Sequence, residues 1–211
     1  KDNQLTSLPA EIGNLTGLTG GGLGLGNNPL TSLPAEIANL SGLTSLIINN
    51  CNQLTSVPSE IGNMTGLEAL LLQQNEQLST VPVEIFNLTG LTSTLSLCNI
   101  LQLTSVPAEI GNLTALETLC MNANPFTTLP AEIGNLTRLK TLNVCCNNQF
   151  TFLPAEIGNM IGLETLYLVQ NKLTSVPAQI GNLTALTLLS LGENQLTSVP
   201  AEIGSLAALT V

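Results

Sequence analysis

The sequence predicts an α/β repeat solenoid, a single array of about nine coils over residues 1–211. A proline recurs every 23 to 25 residues, each time followed by an x-Glu/Gln-Ile-x-Asn/Ser phrase. Repeats of this length bury their apolar faces against neighbouring copies rather than in one central core. The repeat prolines are Pro9, Pro34, Pro58, Pro82, Pro107, Pro130, Pro154, Pro177 and Pro200.

Composition indicates a folded body with an aliphatic interior. Apolar residues make up 44% of the 211, whereas aromatic residues make up 2% and Trp is absent. The formal charge of -10 disfavours nucleic acids and anionic membrane surfaces, because both attract clustered Lys and Arg. No apolar run approaches the roughly 20 residues that cross a bilayer, so we expect no membrane insertion.

Each coil is predicted to begin with one short strand, for which the segment before Asn194 is the clearest copy. Leu189 and Leu191 alternate with Leu188, Ser190 and Gly192. This period of two places the first pair inward and the other three outward.

An asparagine follows the strand in most coils, three residues after the last inward apolar residue. Its amide can satisfy backbone groups where the chain leaves the core, so we predict an asparagine ladder that links successive coils. Cys51 stands at one ladder position. The ladder asparagines are Asn28, Asn75, Asn124, Asn147, Asn171 and Asn194.

The returning arm of each coil is predicted to contain turns and short 3₁₀ or helical pieces. In the last coil, Leu196, Val199, Ile203 and Leu206 continue the inward set, and Pro200 fixes one backbone angle where no ladder donor is needed.

Two coils depart from the common length. We place two extra residues in the Gly20–Gly22 segment, and a second irregular coil spans Leu91–Val106, where Thr94 and the Asn99–Leu101 segment interrupt the spacing. Neither end shows a polar cap, which a terminal repeat needs. We therefore expect a segment of a longer array, or ends that further repeats or a neighbouring subunit cover.

The pattern LxxLxLxxNxL followed by xxVPxxIGNLTx resembles the leucine-rich repeat family over nearly the whole chain. The 23-residue form with LPxEIGNL is most similar to intracellular Ras-group and related bacterial repeats, while GNLT also resembles the plant receptor type. The resemblance implies a right-handed horseshoe with a parallel sheet on its concave face. It also implies a non-enzymatic scaffold that holds another protein there or along an edge.

Outward strand positions are then the candidate partner-binding residues. They are small, nearly uncharged and mildly apolar, which suits a flat or extended polypeptide, and Tyr167 is the one aromatic anchor among them. The alternative is an ordinary solvated sheet, with binding elsewhere. The candidate residues are Ile47, Asn49, Leu71, Gln73, Asn122, Asn143, Tyr167 and Val169.

A glutamate stands two places after every repeat proline except Pro177, where Gln179 replaces it. This stripe could receive a basic partner or divalent cations. Carboxylates one repeat apart do not converge as Ca²⁺ ligands do, so we favour charges placed at the start of short helical turns.

The sequence contains seven Asn-x-Ser/Thr sequons, which can be glycosylated in secreted proteins. They would belong to an alternative function, an extracellular glycosylated recognition segment of a receptor-like protein. We favour the interpretation that this Asn and Thr tie down the returning arm. A minor third hypothesis is ice binding by the file of Thr-Ser pairs, which Phe152 interrupts. The sequon asparagines are Asn14, Asn39, Asn63, Asn87, Asn112, Asn135 and Asn182.

The five cysteines carry no zinc spacing, and the chain has no histidine. We therefore predict no catalytic residues, no metal site and no cofactor. Free thiols favour a reducing, cytoplasmic compartment, with an extracellular one as the alternative. Cys145 and Cys146 are the pair most exposed to oxidation.

Overall fold

The computed structural model describes residues 3–210, which form a solenoid horseshoe with one open parallel sheet. Eight strands of three residues pair in sequence order, each with the strand of the next coil. This confirms the predicted repeat solenoid with one strand per coil. The strands are β1 (Gly22–Gly24), β2 (Ser45–Ile47), β3 (Ala69–Leu71), β4 (Thr94–Ser96), β5 (Thr118–Cys120), β6 (Thr141–Asn143), β7 (Thr165–Tyr167) and β8 (Leu188–Ser190).

The middle residue of each strand points into the core. Leu46 pairs with Leu70, and Leu142 pairs with Leu166, all without exposed surface. Because the register repeats without slippage, each inward leucine packs on its equivalent in the next coil. The aliphatic interior is completed by a T-shaped contact between Phe126 and Phe150, whose ring centroids lie 5.7 Å apart.

The side opposite the sheet consists of five-residue 3₁₀ helices, as predicted for the returning arms. Each follows a repeat proline with φ between -63° and -77°, and its isoleucine accepts the hydrogen bond that ends the helix. The helices are η1 (Ala10–Asn14), η2 (Ala35–Asn39), η3 (Ser59–Asn63), η4 (Val83–Asn87), η5 (Ala108–Asn112), η6 (Ala131–Asn135), η7 (Ala155–Asn159), η8 (Ala178–Asn182) and η9 (Ala201–Ser205).

Neighbouring 3₁₀ helices approach so closely that most coils need glycine at the fourth helical position. A Cβ atom on Gly134 would lie 2.5 Å from the Glu156 carbonyl oxygen, and one on Gly158 would lie 2.5 Å from that of Gln179. η2 and η4 instead carry Ala38 and Phe86 at the corresponding place, and Phe86 is buried.

The asparagine ladder is present, and it spans successive coils. Asn75 Nδ2 donates to the carbonyls of Leu72 in its own coil and Ile48 in the preceding one, while Oδ1 accepts from the Cys51 amide. The Cys51 thiol donates to the Leu25 carbonyl at 3.5 Å, so it replaces one asparagine hydrogen bond.

The prediction for the second irregular coil is wrong in part. Its extra residue lies before the strand, between Leu91 and Leu95, where regular coils have two intervening residues rather than three. The Asn99–Leu101 segment keeps the repeat spacing, since the Ile100 amide occupies the ladder position and donates to Asn124 Oδ1. The sequence did not reveal this register because Ile100, a buried apolar residue, stands where most coils have the ladder asparagine.

In each of the eight coils that contain a strand, the chain leaves the strand through a residue that has a left-handed backbone conformation and is not glycine. Asn50, for example, has φ 55°, directly before the ladder position. This conformation costs about 1–2 kcal/mol for residues with a Cβ atom. The set is Asn27, Asn50, Gln74, Asn99, Ala123, Cys146, Gln170 and Glu193.

Apolar side chains are exposed at both ends of the described array. Leu15 and Leu18 are exposed at one end. At the other end Val199, predicted to point inward, is 48% exposed, because no further coil in residues 3–210 covers it as the next coil covers Val176. That these ends are covered by further repeats or a second subunit stays a prediction. Among the described residues, no helix is long and apolar enough to cross a membrane.

Candidate functional site: the concave face

The concave face is built from three rows of side chains that run across all eight strands. The first residue of each strand belongs to row one and the third residue to row two. The residue two places after the strand belongs to row three. Neighbours within a row lie about 4.8 Å apart, the spacing of adjacent strands. Row two is Gly24, Ile47, Leu71, Ser96, Cys120, Asn143, Tyr167 and Ser190; row three is Gly26, Asn49, Gln73, Cys98, Asn122, Cys145, Val169 and Gly192.

All eight candidate residues lie on rows two and three and are partly exposed. They fall into two groups. Ile47, Asn49, Leu71 and Gln73 lie together on the second and third strands. Asn143 pairs directly with Tyr167, with Asn122 and Val169 beside them in row three.

Charge is confined to the margins of the face. Rows two and three contain no charged residue. The residues that directly precede the strands include Glu68, Glu117, Lys140 and Glu164, of which Lys140 Nζ and Glu117 Oε2 form an ion pair at 3.0 Å. The centre of the face is thus neutral, with a mildly acidic rim.

Gln73 contributes an unpaired polar atom to the face. Its Oε1 is buried and accepts no hydrogen bond within the described part of the chain. Leaving a buried acceptor unpaired costs about 1–3 kcal/mol. A donor from a bound molecule could recover part of this free energy.

Cys98 and Cys120 lie between the two groups of candidate residues, whereas Cys145 lies within the second group, between Asn122 and Val169 in row three. Cys98 Sγ lies 3.4 Å from Ser96 Oγ, and Cys120 lies diagonally from it in the next coil. The neighbouring Cys120 thiol, helped by Ser96 and the Asn122 backbone, lowers the pKa of Cys98 despite its burial. The Cys98 thiol and burial in turn raise the pKa of Cys120.

The sequence had predicted free thiols here, and the described cysteines are free. The proximity of Cys98 to Cys120 was missed. Their offset of two residues along adjacent strands places the Cα atoms far apart, yet diagonal neighbours on one face can still touch through their side chains. That offset was the available signal.

The left-handed residues form a second file of hydrogen bonds along one edge of the face. Asn50 Nδ2 donates to Asn27 Oδ1 at 2.7 Å. Farther along, Gln170 accepts from Cys146 at 3.1 Å and donates to Glu193 at 2.9 Å. This edge file runs beside the buried ladder and orders polar side chains at the margin of the concave face.

The glutamate stripe and the sequons both lie on the 3₁₀ helices, away from the concave face. Each stripe glutamate is the second helical residue, as expected for charges at helix starts. Within residues 3–210, no three His, Cys, Asp or Glu side chains converge as metal ligands. All seven sequon asparagines are exposed, and none of their side chains makes a hydrogen bond in the described structure. The Asn and Thr of a sequon do hydrogen-bond to each other in the arm, but through their backbones, as when the Thr65 amide donates to the Asn63 carbonyl.

Comparison with known proteins identifies the fold family. A leucine-rich repeat region matches residues 93–171. A leucine-rich repeat protein of Leptospira interrogans aligns in structure with 34% sequence identity and a TM-score of 0.79, over 99% of this chain and 57% of that protein. The chain is a leucine-rich repeat protein. None of the curated proteins matches it in sequence.

Other leucine-rich repeat structures share the architecture. The plant peptide hormone receptor RGFR1, solved in complex with RGF2, is 33% identical with a TM-score of 0.84, over 96% of this chain and 33% of the receptor. Internalin C2 of Listeria monocytogenes has a TM-score of 0.74 over 90% of this chain and 78% of its own, at 22% identity, and so supports the fold alone. The chain therefore spans about half of the Leptospira protein and a third of the plant receptor.

Proposed function

We propose that this leucine-rich repeat protein is a non-enzymatic scaffold that binds an extended polypeptide on its concave face. The observation that carries the proposal is the uncharged surface of rows two and three, which the stacked coils hold rigidly and leave partly exposed. Leucine-rich repeat arrays are generally interaction modules rather than enzymes.

The chemistry of the two groups favours a polypeptide over a small ligand. Asn143 and Asn122 offer amide donors and acceptors, and Tyr167 and Val169 beside them supply apolar area. Tyrosine is enriched among residues that dominate binding energy, since its ring is large and its hydroxyl pairs with polar groups. The neutral centre disfavours a highly charged partner, whereas the acidic rim favours one that is neutral or weakly basic.

Two of the structural relatives support the choice of a polypeptide partner. RGFR1 was solved with RGF2, and the ectodomain of GASSHO1/SCHENGEN3 from Arabidopsis thaliana was solved with CASPARIAN STRIP INTEGRITY FACTOR 2. The second of these is 30% identical to this chain, which covers 28% of it.

Site-specific photocrosslinking tests the proposal. A benzophenone side chain at Tyr167 or at Asn143 should crosslink a polypeptide partner in cells or in the native extract. Ile161 provides the matched control, because it is 63% exposed and lies outside the sheet. Crosslinks from Ile161 with none from Tyr167 or Asn143 would move the binding site off the concave face.

A second candidate function, an extracellular glycosylated recognition segment, rests on the exposure of all seven sequon asparagines. The free, closely spaced thiols favour a cytoplasmic location instead. Intact mass of the protein from its native source discriminates the two. Glycan mass at Asn63 or Asn135 supports the extracellular candidate, whereas an unmodified, fully reduced chain supports the cytoplasmic scaffold.

A further inference from the structure

Cys145 and Cys146 form a pair of adjacent thiols whose Sγ atoms lie 3.2 Å apart. Consecutive side chains of a regular strand point to opposite faces. Cys146 has φ 60°, and this left-handed turn interrupts the alternation, so that both sulfurs reach the same corner. The backbone thus preorganises the pair.

The surroundings hold the two thiols in place while leaving them accessible. Both residues are partly exposed. Gln170 Oε1 accepts a hydrogen bond from the Cys146 thiol at 3.1 Å, and Asn143 Oδ1 accepts one from the Cys145 amide at 3.1 Å. The corner therefore offers two sulfurs to a single thiophilic atom. Within residues 3–210, no group of three His, Cys, Asp or Glu side chains converges as metal ligands.

We propose that Cys145 and Cys146 form a binding site for thiophilic compounds that take two sulfur ligands at one atom, such as monosubstituted trivalent arsenicals. With phenylarsine oxide, two S–As bonds form and the bonds between arsenic and oxygen break. The two thiol protons leave with that oxygen as one water. The step is a condensation, so it requires no oxidant or reductant.

The other thiol contact on the concave face is a poorer chelator. Cys98 and Cys120 belong to different coils and lie diagonally, with Cα atoms roughly 8 Å apart from the strand geometry. Cys145 and Cys146 are neighbours in the chain, so the second S–As bond closes a short ring at little further entropic cost. Linking two weak contacts in this way raises affinity by about 10²–10⁴.

The test is a titration of the full reduced chain with phenylarsine oxide, followed by intact mass and by counting free thiols. We expect one tightly held arsenical and the loss of two free thiols. An excess of 2,3-dimercaptopropanol should remove it, whereas the same excess of 2-mercaptoethanol should not. An adduct that the monothiol removes would overturn the proposal.

Variants locate the site. Cys146→Asn and Cys145→Asn use residues that other coils carry at these rows, as in Asn49 and Asn50, so the fold should persist. Each should weaken uptake by at least about 100-fold through the loss of chelation. The matched control is the Cys98→Ser/Cys120→Ser double variant, which should bind like the parent. Loss of uptake in this control, with uptake retained in Cys146→Asn, would place the site elsewhere.

Discussion

Asn147 Oδ1 lies 2.6 Å from the backbone nitrogen of Asn124, its equivalent in the preceding coil. The Asn147 side chain also donates to the Val144 carbonyl at 2.7 Å, and it has no exposed surface. One side chain therefore satisfies backbone groups in two coils where no strand pairing reaches them.

Replacing Asn147 with alanine should destabilise the array. The substitution leaves the buried Asn124 amide unpaired, at about 1–3 kcal/mol, whereas the Val144 carbonyl keeps its hydrogen bond from Asn171 Nδ2. Equilibrium urea unfolding measures the loss. Asn148→Ala is the matched control, because Asn148 is exposed and next in the chain. Equal stability of the two variants would show that the ladder contributes nothing.

Ala123→Gly should stabilise the protein. Ala123 has φ 58°, where a Cβ atom is unfavourable, and removing it should raise stability by about 0.5–1 kcal/mol after the entropy that glycine adds to the unfolded chain. Ala131→Gly, at the start of η6 with ordinary φ, should change stability in the opposite direction. Melting temperatures of the two variants show whether each substitution raises or lowers stability. A melting temperature of Ala123→Gly below that of the parent would contradict the left-handed conformation of Ala123.

Gly158→Ala should disrupt the packing of η7 on η8. The new Cβ atom would lie 2.5 Å from the Gln179 carbonyl oxygen, and overpacking of this kind costs about 1–3 kcal/mol. Gly204→Ala in η9 meets no atom within 4 Å and should be neutral or slightly stabilising. Thermal unfolding distinguishes them. If both variants behave alike, neighbouring 3₁₀ helices are not in close contact.

Cys98 should be the thiol that is alkylated fastest near neutral pH. The Cys120 thiol lowers the pKa of Cys98 and so raises its thiolate fraction, whereas burial and the Cys146 thiol raise the pKa of Cys145. Cys120→Ala removes the neighbouring thiol that favours the Cys98 thiolate, so the pH profile of iodoacetamide labelling at Cys98 should shift upward. Peptide mass mapping measures both rates, and an unchanged midpoint would contradict this cause.

The periodic features of the fold could be predicted from the sequence because residue type and spacing together indicate whether a side chain is buried, exposed or hydrogen-bonded. Leu166 and Ile157 are buried at fixed spacing, and Asn171 bonds where a ladder residue must. Ile100 was misassigned because its side chain makes no polar contact and only its backbone amide takes part in the ladder.

The concave face was predictable as a surface but not in its contacts. Tyr167 and Asn143 were placed by strand alternation alone, and the structure pairs them directly. The influence of Cys120 on Cys98 depends on the path of two side chains across neighbouring coils, which spacing in the sequence does not specify. The left-handed φ of Cys146 was equally hidden, because glycine, the usual marker of that conformation, is absent there.

The central claim, that the concave face binds a polypeptide, is tested most directly by the affinity of the crosslinked partner for Tyr167→Asp. A charge at this neutral, central position should weaken binding by at least about 30-fold, the loss of a dominant contact, without lowering the melting temperature. Ile161→Asp, outside the sheet, should bind like the parent. Equal affinities for Tyr167→Asp and the parent protein would contradict the account.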